Sequence, residues 1–240
     1  ELGKYLLVAN VEDLRRFAPI LGAAIPELSP MIGFDQHSPH HAYDVYGHTA
    51  RVVAQVPSEL VIRWAALLHD VGKPACFTVD GQGVGHFYGH PKVSAALAEE
   101  ICRRLRMDKR TAREIVTLVR WHDRDIPRTE KAIARAVHQL GEDTFRRLLA
   151  IKRADNLAQH PDYRGRLTEI DRAEAILDGL LAKQACFSLR DLAVNGGDLL
   201  ALGLRGPAVG EALNALLEQV LDGTLPNERE ALLDAVRRLP

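Results

Sequence analysis

The stretch that decides the fold is Arg63-Trp64-Ala65-Ala66-Leu67-Leu68-His69-Asp70-Val71-Gly72-Lys73. Its first half is apolar on nearly every side, which is typical of a helix at the centre of a protein. A histidine and an aspartate follow at once, although a buried ionised carboxylate is unfavourable unless another group compensates it. The stretch therefore predicts a central helix that carries polar chemistry at its end.

Outside this stretch, apolar residues recur at three- and four-residue spacing, which predicts a chain that is nearly all α. The single β signal is a hairpin formed by Phe77–Val79 and Val84–Tyr88 around a Gly-rich turn. We expect a helical lead-in (1–36), a helical core (37–166) and a helical tail (167–240). Ten helices are predicted: Val11–Leu21, Asp44–Gln55, Glu59–His69, Pro91–Leu105, Lys109–His122, Glu130–Leu140, Asp143–Gln159, Arg166–Ala182, Gly206–Leu221 and Glu228–Arg238.

The composition is that of a globular protein: 240 residues, of which 47% are hydrophobic and 26% are charged. No apolar run approaches the roughly 18 residues that a membrane span needs, and no signal-like stretch opens the chain, so membrane and secretory classes are excluded. The three cysteines form no CxxC pair, which argues against a thiolate zinc site and fits a cytoplasmic protein. The chain begins at Glu1 without an initiator methionine, and two alternatives stay open: a stand-alone protein and a piece of a longer one.

Charge is distributed unevenly along the chain. Residues 101–166 contain 17 Lys and Arg against 9 Asp and Glu, a net +8, whereas the remainder carries −9. Such a basic segment suggests an anionic partner such as nucleic acid, although a solvated helix face can also be rich in arginine.

Several histidines and acids lie where a helix should be apolar. His48 shares a stripe with valines, His122 follows Ile115 at an offset of seven, and Asp155 lies four residues after Ile151. Each has an ordinary alternative: a lone histidine is more often a hydrogen-bonded core residue, and an aspartate can pair with a neighbouring arginine. As a set, however, they favour a shared cation, because imidazole nitrogen and carboxylate oxygen are its natural ligands. The predicted metal ligands are His48, His69, Asp70, His90, His122 and Asp155.

At these positions the sequence resembles the HD-domain phosphohydrolases, whose pattern is His, then His-Asp, then a distant Asp. His69-Asp70 matches the signature, His48 the upstream histidine and Asp155 the closing aspartate. His90 and His122 match the two intervening histidines of members that hold two metals. The resemblance implies an orthogonal helical bundle with the site at its centre.

A closer resemblance, over nearly the whole chain, is to the C-terminal half of bacterial tRNA nucleotidyltransferases, the CCA-adding enzymes and their poly(A)-polymerase-like relatives. It rests on the stretches Pro26–Leu28, Tyr43–Thr49, Leu67–Pro74, His86–His90, Leu192–Leu200 and Leu225–Asn227. The Gly-rich turn and paired-carboxylate strand of that family's nucleotide-adding head are missing, so we expect no nucleotide addition by this chain alone. The resemblance implies tRNA as a partner, a missing head that attaches at the lead-in, and a tail that contacts tRNA.

The first functional expectation is a metal-dependent phosphohydrolase acting on a phosphomonoester, a cyclic nucleotide or a nucleotide. One or two divalent ions would be bound, with Asp70 a ligand of the first and a bridge to the second, and Lys73 would contact phosphate oxygens. Lys73 can equally complement a helix dipole. Asp123 and His86 are candidate proton donors to the leaving group, or residues that only support the site. The ligand types favour Mn, Fe, Co, Ni or Zn over Mg.

The alternative expectation is a tRNA-binding module whose metal site is structural or dormant. Two arginine-rich clusters, 103–113 and 146–166, would contact backbone phosphates, although ordinary surface ion pairing explains them as well. The predicted RNA contacts are Arg104, Arg110, Arg153 and Arg166.

Overall fold

A computed structural model describes residues 1–37 and 43–238. The all-α prediction is confirmed, and the one sheet among the described residues is a hairpin of β1 (Thr78–Val79) and β2 (Gly85–His86). Its strands are antiparallel, with Thr78 opposite His86. The helices are α1 (Leu2–Val8), α2 (Val11–Arg16), α3 (Ala18–Ala24), α4 (Val45–Gln55), α5 (Leu60–Leu68), α6 (His90–Arg104), α7 (Lys109–Trp121), α8 (Glu130–Leu140), α9 (Glu142–Ala158), α10 (Leu167–Ala182), α11 (Gly196–Ala201), α12 (Pro207–Leu221) and α13 (Arg229–Arg237).

The described chain divides into two compact units. The first comprises Glu1–Asp125 with Arg146–Ile170, and the second comprises Ile126–Phe145 with Asp171–Pro240. No helix in the described ranges combines the length and the apolarity that crossing a bilayer would require.

Helix α5 is the centre of the first unit. Every residue from Ile62 to Leu68 is buried, and the helix packs against α1, α4, α6 and α7. Even Arg63 is buried, because its guanidinium donates to the carbonyl oxygens of Leu6 and Ala9 at the end of α1. This burial confines the polar residues at the C-terminal end of α5 to the interior.

Helices α6 and α7 pack against each other, and α7 also packs against α5. Helix α7 begins after Asp108, whose carboxylate accepts from the backbone N–H of Arg110 and of Thr111. It buries Ile115, Leu118 and Val119. Because His122 follows directly after the last turn on the same stripe, its side chain lies in the interior.

The second unit has its own core, built on residues of α8, α10, α11, α12 and α13 such as Ile133, Leu177 and Leu216. Asn227, from the stretch that resembles the nucleotidyltransferase tail, accepts from the Ala193 N–H and donates to the Asp191 carbonyl. The Asn227 side chain therefore joins two loops within this unit.

Two local predictions differ from the structure. The expected helix Val11–Leu21 is broken at Phe17, because Pro19 lacks an N–H and is tolerated only in the first turn of a new helix. His90, expected on a loop just before a helix, is instead the first residue of α6, after Gly89 in the left-handed region (φ 77°).

Candidate metal centre

Six side chains converge inside the first unit although they come from five separate helices or helix ends. His48 lies on α4 and Asp155 on α9. His69 and Asp70 follow α5, His90 opens α6, and His122 follows α7. The predicted ligand set is thus brought together completely, and it divides into two groups whose ligand atoms lie within 4.8 Å of one another.

The first group consists of His48, His69 and Asp155. Nε2 of His48 lies 2.8 Å from Oδ1 of Asp155, and Nε2 of His69 lies 3.8 Å from the same oxygen. The two histidines are almost fully buried, whereas the Asp155 side chain is 29% exposed. Solvent therefore reaches this group from the Asp155 side.

The second group consists of Asp70, His90 and His122. Oδ1 of Asp70 lies 3.3 Å from Nε2 of His90 and 3.7 Å from Nε2 of His122. The two imidazoles face each other, with their Nε2 atoms 3.1 Å apart. All three residues are buried.

The backbone fixes which ring nitrogen carries the proton. Nδ1 of His69, His90 and His122 each lies 2.6 to 2.9 Å from the carbonyl oxygen three residues earlier, and a carbonyl can only accept. Nδ1–H therefore donates in each neutral ring, and each Nε2 presents a lone pair. In the second group two such lone pairs and a carboxylate oxygen point at one another, an arrangement that needs a proton or a cation to be stable.

Two further atoms support a cation. Nε2 of His69 and Oδ2 of Asp70 are buried and lie 3.2 Å apart, but neither has an aligned hydrogen-bond partner in the described ranges. A buried nitrogen without a partner is unfavourable, and a metal would satisfy Nε2 of His69 and would join the Lys73 ammonium, 2.7 Å from Oδ2, in neutralising Asp70. The residues therefore fit one or two divalent ions, and the mixed imidazole and carboxylate ligands suit a first-row transition metal.

Electrostatics agree with this fit. Burial opposes ionisation of Asp70, but His69, Lys73 and His122 hold its pKa well below the usual range. Burial likewise opposes ionisation of Asp155, whose pKa is nevertheless lowered by His48 and His69. Burial lowers the pKa of His122, and the neighbouring His69 reinforces this effect, so His122 favours the neutral imidazole, the form that binds metals.

Lys73 lies at the edge of the centre and is buried. Its Nζ lies 2.7 Å from Oδ2 of Asp70 and donates to Oε1 of Gln36 at 3.1 Å. It also lies over the Phe87 ring, 5.3 Å from the centroid. These contacts place Lys73 as a partner of Asp70, and Gln36 is a neighbour of the centre that the sequence did not reveal.

Lys152 differs from the prediction that residues of the 146–166 cluster contact phosphate. Its side chain is buried, and its ammonium donates to the carbonyl oxygens of His122 and Arg124. Burial lowers the pKa of Lys152 to about 8. Lys152 therefore fixes the backbone at the end of α7, and its spacing of four from buried Leu148 was the signal that could have predicted this.

The remaining predicted catalytic residues lie outside both ligand groups. Asp123 is exposed beside buried His122. His86 belongs to the hairpin, where its Nε2 lies 2.8 Å from Oδ2 of Asp80 and its ring stacks on Tyr88.

The four predicted RNA-contacting arginines have different environments. Arg104 forms a two-fold ion pair with Glu27, and Arg110 pairs with Glu114. Arg153 is half-buried, and Arg166 is exposed. The first two guanidiniums are thus already engaged by carboxylates.

Comparison with known proteins gives a consistent result. The family model described as tRNA nucleotidyltransferase domain 2 matches residues 87–236. The chain is 33% identical over 220 residues to the CC-adding tRNA nucleotidyltransferase of Thermus thermophilus, covering 88% of the chain and 49% of that protein. It is 33% identical over 223 residues to the A-adding tRNA nucleotidyltransferase of Deinococcus radiodurans, covering 88% and 50%.

A third relative is the multifunctional CCA protein of Thioalkalivibrio sulfidiphilus, 33% identical over 220 residues, with 89% of the chain and 51% of that protein covered. The chain thus spans about half the length of the curated relatives it matches. The prediction of a metal-dependent phosphohydrolase is wrong, because the tRNA nucleotidyltransferases among these relatives are named for nucleotide addition and not for phosphate-ester hydrolysis. Buried histidines and aspartates indicated a cation site, but ligand geometry alone does not specify a reaction.

Proposed function

Since the chain belongs to the tRNA nucleotidyltransferase family, we propose that it forms the RNA-binding body and tail of an enzyme that adds nucleotides to tRNA. The observation that carries the proposal is the match of the domain 2 model over residues 87–236, most of the chain. The relatives named as CC-adding and A-adding enzymes support tRNA as the partner.

Charge gives independent support for an RNA partner. The 101–166 segment carries the net +8 described above, and its residues 101–125 and 146–166 belong to the same compact unit as the metal centre. Lysine and arginine side chains that contact phosphates supply most of the affinity for nucleic acid without reading its sequence. Such recognition of shape and charge does not depend on a particular RNA sequence.

We assign the buried His and Asp cluster a structural role in this body. His48, His69-Asp70 and Asp155 follow the HD-domain pattern, which supports metal binding at this position. An ion in the first group would join α4, α9 and the end of α5, and an ion in the second would join the ends of α5 and α7 to the start of α6. Bound ions would thus hold in place the helices that carry the basic surface. Such a site contributes its binding free energy to folding.

The RNA-binding proposal is tested by measuring the affinity of the purified chain for a fluorescently labelled tRNA at several salt concentrations. We expect binding that weakens at least about tenfold between about 50 and 200 mM salt, because counterions are released from the phosphates. An unstructured RNA of the same length is the control and should bind more weakly. No binding, or binding independent of salt, would refute the proposal.

The structural role of the centre is tested by metal analysis and by unfolding with and without a chelator. We expect the purified chain to contain a transition metal and its removal to lower the free energy of unfolding by about 3 kcal/mol, as for a ligand present at 100 times its Kd. Identical unfolding curves in a metal-containing sample before and after chelation would contradict the role.

A further inference from the structure

A groove is formed by residues of α6 and α7 and of the turn between them, and none of the six predicted metal ligands lines it. It has a volume of about 530 Å³. One wall is formed by Glu99 and Arg103 of α6, and the other by one face of α7 that includes Lys109, Arg113 and Arg120. All of these residues are exposed. The groove carries four cationic side chains against one acidic side chain, so it is strongly positive.

Three of these cations are available to a ligand. Within residues 1–37 and 43–238, Lys109, Arg113 and Arg120 have no acidic side chain within ion-pairing distance. This distinguishes them from Arg104 and Arg110 on the same helices, which are held by Glu27 and Glu114. Unpaired guanidiniums on a folded surface retain their full capacity to bind an anion.

The arrangement of the cations indicates the shape of that anion. Lys109 and Arg120 are eleven residues apart on one helix, so their Cα atoms are separated by about 16 Å along the axis. A second depression of about 380 Å³ shares Lys109 and Arg113 with the groove, which places these two side chains on a ridge between two hollows. Cations spread along an open ridge suit a chain of phosphates, whereas one phosphate would need donors that converge on a single point.

The floor of the groove is less polar than its walls. Met107, Ala112 and Val116 line it, and Thr117 adds a hydroxyl. Apolar side chains between cations provide a surface for ribose or base, while the cations contact the phosphates on either side.

We propose that the groove between α6 and α7 binds the sugar-phosphate backbone of an RNA strand, with Lys109, Arg113 and Arg120 contacting successive phosphates. The inference rests on the proposed function, and it locates the RNA on residues other than the paired Arg104 and Arg110.

The experiment compares two double variants in the tRNA-binding assay. Arg113→Glu with Arg120→Glu reverses two groove cations. Arg15→Glu with Arg16→Glu makes the same charge change on exposed positions of α2. The groove variant should bind tRNA about 30-fold more weakly, and the slope of log K against log salt should fall by about 2, since two phosphate contacts are lost. The α2 variant should bind within threefold of the unmodified chain.

Thermal unfolding and metal content should be unchanged in both variants, because the substituted side chains are exposed. If the Glu variant does not fold, Arg113→Gln with Arg120→Gln replaces it, with an expected loss of about tenfold. If the unmodified chain binds tRNA and the groove variant binds equally well, the groove is not the site and the proposed function stands. Equal losses in both variants would mean that net charge alone governs binding, which also overturns the groove. If the unmodified chain does not bind tRNA, both proposals fail.

Competition separates RNA from other anions. A mononucleotide or inorganic phosphate, added at constant ionic strength, should not displace tRNA at concentrations near that of the protein. Polyglutamate should compete at least tenfold less well than unlabelled tRNA. Displacement by the mononucleotide at equal concentration, or by polyglutamate as effectively as by tRNA, would overturn the assignment to an RNA backbone.

Discussion

The metal centre and the α6–α7 groove are both rich in charged or polar side chains, but they are built in opposite ways. In the centre, each of three imidazoles is oriented by a backbone carbonyl, and the lone pairs converge within a few ångströms. In the groove, Lys109, Arg113 and Arg120 are exposed and lie along a helix without a common focus. The centre suits a small cation, and the groove suits a long polyanion.

This difference has an energetic counterpart. Burying charged groups is unfavourable without compensation, so every ligand of the centre affects folding. Exposed cations remain solvated in the folded protein, so substituting the groove residues should leave the free energy of unfolding nearly unchanged. We therefore expect substitutions in the centre to alter stability first, and substitutions in the groove to alter RNA affinity alone.

The largest effect is expected for Asp70→Ala, which removes the carboxylate that lies 3.3 and 3.7 Å from Nε2 of His90 and His122 and pairs with Lys73. The buried ammonium loses its partner and the metal loses a ligand, so the free energy of unfolding should fall by about 3–5 kcal/mol. Denaturant unfolding and elemental analysis measure both changes. Asp123→Ala is the matched control, because Asp123 is exposed, and it should change stability by less than about 0.5 kcal/mol. Equal effects of the two substitutions would remove the distinction between centre and surface.

A smaller effect is expected for Gly72→Ala, which changes packing without removing a ligand. A Cβ atom at position 72 would lie 2.7 Å from the backbone N and 2.9 Å from Oγ of Ser94, one turn after His90 on α6. The N-terminal turn of α6 would have to shift, at a cost of about 1–3 kcal/mol, and metal should bind more weakly. Thermal unfolding and metal titration measure these effects. Gly81→Ala, at the open hairpin turn, is the control and should change neither thermal unfolding nor metal affinity. If Gly72→Ala also changes neither quantity, the centre tolerates displacement of α6.

The smallest effect sharpens the contrast between paired and unpaired cations. Arg104→Ala removes a two-fold ion pair with Glu27, and because the Arg104 side chain is 39% exposed, the loss of stability should be at most about 1 kcal/mol. Its tRNA affinity should stay within twofold. Arg113→Ala should show the reverse, with unchanged unfolding and an affinity about fivefold lower. If Arg104→Ala weakens tRNA binding as much as Arg113→Ala does, pairing does not determine which cations are available.

Much of the fold could be predicted from periodicity, because the helices of this chain have clear apolar stripes. The stripe of α7 predicted that His122 would lie on the buried side, and the hairpin was predicted from its Gly-rich turn. The break at Phe17 was missed, although Pro19 carried the signal.

Pairing across the chain could not be predicted. Glu27 and Arg104 are 77 residues apart, and only the packed helices bring their side chains together. A run of arginines therefore identified a basic region but not which of its cations were available. The burial of Lys152 and the contact of Gln36 with Lys73 likewise depend on tertiary structure.

The spread of the ligands along the chain has a consequence for biosynthesis. His48 and Asp155, which meet at 2.8 Å, are 107 residues apart, so closing this contact is among the long-range steps of folding. During translation, a ribosome must have released α9 before the first ligand group can be complete. Until then the emerging helices can associate only through their apolar stripes, and an ion that needs both His48 and Asp155 could be bound only after α9 has emerged.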